Sequence, residues 1–280
     1  MKTESSNLKG ISDGYSHIRP LLKYNNKINL NNPVLIVGFL GSGMIGQLGT
    51  DYIVEQANLH QIYFIESDYI LPGAIFVKKR IRHPARIYAN KEGTLCVLIC
   101  EAPILIDGVF SLVNVIIQWC FRNNVKELIV LEGILKQYFS SFEGAEEKII
   151  ILTNENVSEQ KENIDKNKKK VLKNSDQTIN DNLLSPDFAY IEGPAGNLLA
   201  SCSENNIKCT GILVPTIAGV ADHIGTIKAI EALNKFILPI SIDVSTLKKR
   251  TELIKEKVQE TLQSIAKQYE KKDYKRSGIY

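Results

Sequence analysis

Cysteine, methionine and tryptophan are scarce in this chain of 280 residues, and neither sign of charge dominates it. The five cysteines, Cys96, Cys100, Cys120, Cys202 and Cys209, are odd in number and scattered, with no C-x-x-C pair. That spacing excludes a disulfide framework and predicts buried free thiols in a reducing compartment. His17, His60, His83 and His223 stand too far apart for metal-ligand spacing. Neither a G-x-S-x-G elbow nor a phosphate-loop lysine occurs. A net charge of +3 is close to balance, which argues against binding nucleic acid or an acidic membrane by bulk charge. No apolar run is long enough to span a bilayer, and Met1-Lys-Thr-Glu-Ser-Ser lacks the apolar stretch of a signal peptide. The expectation is a soluble, cytoplasmic protein with no cofactor, nucleic-acid or membrane partner.

What the chain does have is apolar content, 44% of its residues, enough to bury a large core without cross-links. Residues 1–29 are polar. Pro33 to Leu40 is apolar throughout, as a parallel strand covered on both faces would be. Ile45, Leu48 and Tyr52 then recur at helical spacing. Gln61 to Ile65 reads as a strand. Ala74 to Ile81, Arg86 to Ala89 and Thr94 to Cys100 read as strands joined by short turns, hence an antiparallel portion. Asp107 to Arg122 reads as a helix burying Val109, Leu112, Val113, Ile116 and Ile117. Strands follow at 127–131, 148–152, 188–191 and 209–214, with helices at 196–204 and 223–236. This alternation predicts an α/β domain over 30–244, a three-layer fold around a mostly parallel sheet. Residues 153–182 are rich in Lys, Asp, Glu and Asn with few aliphatics, and predict a mobile insertion. A long helix is expected over 245–269, with a narrow stripe of Leu247, Ile254, Val258, Leu262, Ile265 and Tyr269, then a flexible basic tail over 270–280.

Three constellations could carry chemistry. Gly41, Gly43 and Gly46 have the G-x-G-x-x-G spacing of a dinucleotide loop, and Glu66 stands about where the ribose-binding acid would. Gly38 already interrupts the strand, however, and Gly49 continues the series into the helix, so close packing of a helix on the sheet is the favoured reading. Glu66, Glu101, Glu132 and Glu192 each follow an apolar segment. If those segments are parallel strands, the four carboxylates meet at one sheet edge, as a metal or acid–base site or simply beside helix N-termini. Asp222-His223 reads either as a proton-transfer pair or as a helix start with Asp as cap, the simpler account. Lys78, Lys79, Arg80, Arg82 and Arg86 form a basic strip, which reads equally as a contact for an acidic surface or phosphate and as a charged sheet edge. The tail ends on Ile279-Tyr280, a terminal carboxylate beside an aromatic and an aliphatic group, suited to a pocket with a lysine at its base.

Gly38-Phe-Leu-Gly-Ser-Gly-Met-Ile-Gly-Gln-Leu, Pro84-Ala-Arg-Ile-Tyr, Leu128-Ile-Val-Leu-Glu-Gly133, Gly193-Pro-Ala-Gly-Asn-Leu-Leu199 and Ala229-Ile-Glu-Ala-Leu-Asn-Lys-Phe occur in that order. Together they resemble the proteasome assembly chaperone family, second-subunit type, over roughly residues 30–265. The resemblance implies a fold related in outline to nucleoside phosphorylases and assembly into homo-oligomers or with a paralogous chaperone subunit. It also implies non-catalytic binding of proteasome core-particle α-subunits. Several members dock through a C-terminal hydrophobic–tyrosine–any-residue motif, of which Ile279 and Tyr280 match the first two positions. The rival expectation is a nucleotide- or dinucleotide-binding enzyme using the Gly41–Gly46 loop and the strand-end carboxylates; a third is a metabolic-complex scaffold.

Overall fold

The computed structural model describes residues 22–23, 28–77, 79–139, 148–154, 183–184, 189–217, 219–236, 242–249 and 251–252. The chain divides into two compact units, Met1–Ile242 and Asp243–Tyr280.

The first unit is built on a sheet of β1 (Leu22–Lys23), β2 (Val34–Phe39), β3 (His60–Phe64), β6 (Ala85–Ala89), β7 (Leu95–Cys100), β8 (Glu127–Leu135), β9 (Ile149–Thr153), β10 (Leu183–Leu184) and β11 (Cys209–Thr216). Their order across the sheet is β1-β3-β6-β7-β2-β8-β11-β9-β10. The central four, β7-β2-β8-β11, are parallel. They are the continuous apolar runs that the sequence marks as covered on both faces. Antiparallel pairs flank this block on both sides, β6 against β7 and β9 against β11. Pro215 sits in β11 without breaking it. Pairing with β9 ends at Leu213, so the residue has a strand partner only on the β8 side, and its missing N–H leaves no gap in the other ladder.

Helices α1 (Ile45–Gln56) and α4 (His223–Phe236) cover one face of the sheet, and α2 (Val109–Arg122) and α3 (Gly193–Glu204) the other. On the α2–α3 face, Leu35, Val37, Phe39, Leu98, Leu128 and Val130 meet Leu112, Val113, Ile116, Ile117, Ala195 and Leu198. The five residues expected on the inner side of α2 are all buried, with Trp119 and Cys120 added to them. In α3, Pro194 sits in the first turn, where its missing N–H has no helical partner to lose.

The structure redraws several sequence expectations. Residues 74–81 are not one strand: β4 (Ile75–Val77) and β5 (Arg80–Arg82) form a hairpin and a separate two-stranded sheet. The turn between them holds Lys79 in the left-handed region at φ 64°, so Arg80 and Arg82 lie on a different strand from Ile75–Val77, and Lys78 lies outside the described residues. Residues 189–191 are not strand but lead directly into α3, and residue 188 lies outside the described residues. The strand expected at 127–131 continues to Leu135, because Ile134 and Leu135 find partners in Pro215 and Thr216.

In the second unit, residues 245–249 and 251–252 are helical. Asp243 caps that start: its carboxylate accepts the Ser245 N–H at 2.9 Å and the Ser245 hydroxyl at 2.7 Å. The remainder of the expected helix to 269, the tail with Ile279 and Tyr280, and the insertion from 155 to 182 lie outside the described residues.

Candidate functional site

After β2 the chain moves to β3, β6 and β7 on one side, and after β8 it moves to β9 and β11 on the other. The carboxyl ends of β2 and β8 are therefore the point where the strand order reverses, the position at which open α/β sheets form a crevice. The glycine loop lies there, as a 3-10 turn at Ser42–Met44 leading into α1.

Each loop glycine faces something solid. A methyl group on Gly38 would collide with the Gly46 carbonyl oxygen and the Thr50 side chain. One on Gly46 would meet the backbone oxygens of Leu131 and Phe39. The first turn of α1 thus rests on the backbone of β2 and β8, an approach that only residues without Cβ permit. The Thr50 hydroxyl closes the contact by donating to the Gly46 carbonyl at 2.7 Å. Gly43 has φ 64°, in the left-handed region, and its Cα faces Thr216. Met44 follows at φ 54°.

Glu132 sits inside β8, not after it, and is buried. Its carboxyl fills the space beside Gly41 where a Cβ would point, and its Oε1 accepts the Gly133 N–H at 2.9 Å. Burial pushes this acid up to about 8, against the smaller opposing effect of that hydrogen bond. From the α4 side, Asp222 closes the loop. Its N–H donates to the Gly43 carbonyl at 2.8 Å, and its carboxylate accepts from the Thr216 hydroxyl at 2.9 Å and from the Gly225 N–H at 2.7 Å. Asp222 is the cap of α4, as the simpler sequence account has it. Thr216 and its bond to Asp222 were not legible, since nothing in Pro215-Thr216 distinguishes a seam residue from any strand end.

The four strand-end glutamates are not brought together. β3 runs in the same direction as β7, since both are antiparallel to β6, so Glu66, Glu101 and Glu132 do lie toward one edge. At about 4.8 Å per strand, however, β7 and β8 are separated by β2, roughly 10 Å in all, and β3 is farther still. Glu192 follows no strand; it is the N-cap residue of α3 and makes no side-chain capping bond. Among the described residues no group of His, Cys, Asp and Glu could hold a metal ion.

Glu101 has a different task. It is ion-paired with Arg86, whose side chain is 0% exposed, whose Nε–H donates to the Tyr88 hydroxyl at 2.8 Å, and whose Nη1 donates to the His83 carbonyl. Arg86 therefore belongs to the core of β6 and not to the basic strip. All five cysteines are free and buried. Burial pushes the Cys100 thiol up to about 11 and the Cys120 thiol up to about 12, the inert rather than the nucleophilic range.

The PAC2 family model matches residues 35–262. The chain belongs to the PAC2 family. An uncharacterized protein of Methanocaldococcus jannaschii is 29% identical over 246 residues, 88% of this chain and 92% of the relative. A Thermoplasma acidophilum protein of unknown function has a crystal structure 28% identical in sequence, with TM-score 0.64, over 88% of this chain and 92% of that one. Pyrococcus furiosus PbaA, described as an archaeal homolog of proteasome-assembly chaperone, has TM-score 0.71 at 18% identity, over 93% of this chain and 100% of PbaA. Pyrococcus furiosus PbaB, described as an archaeal proteasome activator, has TM-score 0.67 at 15% identity, over 88% and 98%. Among the PAC2 family's solved neighbours the three-layer α/β arrangement is shared. No helix of the described residues is long and apolar enough to cross a membrane.

Proposed function

We propose that the protein is a cytoplasmic, oligomeric proteasome assembly chaperone or adaptor that binds core-particle α-subunits and is not catalytic. The observation that carries this reading is the PAC2 family match over residues 35–262, alongside neighbours described as a chaperone homolog and a proteasome activator. The loop geometry supports it. Gly38 and Gly46 are consumed by backbone contact between α1 and the sheet, and the Glu132 carboxyl already occupies the space beside Gly41. Flanking the loop and Asp222, Met44, Ile217, Val220 and Ile224 are exposed apolar side chains, better suited to a protein surface than to a phosphate. Several copies of the tail, each weak alone, would engage the α-subunits together through Ile279 and Tyr280.

The test mixes the full-length protein, and a form lacking Ser277 to Tyr280, with the cognate α-subunits. Co-migration of the full-length form with the subunits is expected, and its loss in the truncated form. Equal co-migration of both would remove the tail from the account, and none by either would remove the α-subunits.

A catalytic or nucleotide-binding role has one observation in its favour, a buried carboxyl with a raised pKa at the switch point. Thermal shift against NAD, ATP, nucleosides and divalent metals tests it. A large saturable stabilisation would reverse the ranking.

A further inference from the structure

The β4–β5 hairpin is uncovered on a face that ought not to be. Phe76 and Ile81 are cross-strand partners, so they share one face, and they are 71% and 76% exposed. A two-stranded sheet standing alone in water is marginal. This one is tied to the body at its base, where Arg82 donates to the Tyr88 hydroxyl at 3.0 Å, while the turn end carries exposed Lys79 and Arg80. The result is a projecting basic arm with a bare apolar face.

A second bare patch carries an exposed acid. Segments 69–71 and 103–105 run side by side, joined by the Leu71 N–H to Pro103 carbonyl bond at 3.0 Å and the Leu105 N–H to Tyr69 carbonyl bond at 2.8 Å. They present Leu71 and Leu105, continued by Ile106 in the 3-10 turn before α2 and by Phe110 in the first turn of α2. Ile106 and Phe110 are 83% and 73% exposed, and the exposed acid between them is Asp107. Since both patches stay uncovered in one chain, the hairpin does not fold back on its own patch.

We propose that the β4–β5 hairpin of one copy of this chain docks on the Leu71, Leu105, Ile106 and Phe110 patch of a second copy. Phe76 and Ile81 are buried there, and Lys79 and Arg80 face Asp107. The inference rests on the oligomeric part of the function proposed above and supplies its contact. Because the two patches differ, the contact is head-to-tail and propagates until a ring closes.

The test uses native mass measurement on the full chain and two surface variants, Phe76→Ser with Ile81→Ser, and Ile106→Ser with Phe110→Ser. Wild type is expected to be oligomeric, and each variant to lose at least about tenfold in association and become monomeric. Mixed in equal amounts, the two variants should form a dimer, since each supplies the half that the other lacks. Arg80→Glu and Asp107→Lys should each weaken assembly, and combining them in one chain should restore it. A wild-type monomer would sink both this inference and the oligomeric reading. A wild-type oligomer with variants that assemble equally, or a mixture that stays monomeric, would overturn the inference alone. So would a hairpin variant that keeps its assembly but loses α-subunit co-migration, which would assign the hairpin to the α-subunits.

Discussion

Gly38 and Gly73 separate what a glycine does by close approach from what it does by composition. A Cβ on Gly38 would overlap the Gly46 backbone, which cannot swing away as a side chain could, whereas one on Gly73 meets nothing within 4 Å. Gly38→Ala is expected to cost about 2 kcal/mol or more, and Gly73→Ala to stay within about 0.5 kcal/mol, both read from urea unfolding. Equal effects would mean that α1 does not rest on the β2 backbone. Glu132 gives a second residue-scale prediction. Burial keeps its native carboxyl protonated up to about pH 8, while the unfolded chain gives up the proton near 4.5. The folded state therefore binds more protons between those values. Its stability is fully present below the lower value and falls, by roughly 1.4 kcal/mol per pH unit, as pH rises through the window. Glu132→Gln cannot ionise and can still accept from the Gly133 N–H. Unfolding measured across the window should show a flatter pH dependence and a more stable variant at its alkaline end; parallel curves would contradict the buried, neutral acid.

At the scale of elements, two polar devices hold strands in place. Arg86 and Glu101 link β6 to the end of β7. Glu101→Gln leaves a fully buried guanidinium without its counter-charge, a change expected to cost about 3 kcal/mol or more. A loss below about 1 kcal/mol would show the pair to be dispensable. Asn154 clamps β9 to the start of β11, donating to the Ile207 carbonyl and accepting the Cys209 N–H, both at 2.9 Å. Asn154→Ala strands that N–H and should cost about 1–3 kcal/mol, again by urea unfolding. Elements whose identity follows from their own residues were legible in the sequence: the apolar central strands, the inner side of α2, and the capping Asp222. Those decided by a neighbour were not. β8 lengthens because Thr216 and Pro215 lie beside it. The chain turns back between Ile75–Val77 and Arg80–Arg82 although no Gly, Pro, Asn or Asp marks a turn there. Glu192 reads as a strand end but belongs to a helix start, where Pro194 sets the boundary.

For the whole molecule, the order of motifs along the chain pointed to the family, and the match over residues 35–262 bears that out. The glycine spacing alone also fitted a nucleotide loop, because both uses need backbone exposed at a helix start; the close backbone contacts at Gly38 and Gly46 and the Glu132 carboxyl beside Gly41 favour packing. The four glutamates looked like one cluster because a one-dimensional pattern records that acids follow strands but not how many strands separate them. The account makes the protein a multi-copy binder of proteasome α-subunits. Native mass spectrometry of the full chain, alone and with the cognate α-subunits, tests that most directly. The account predicts an oligomer by itself and a heavier complex containing both proteins. A monomer whose mass is unchanged by the α-subunits would contradict it.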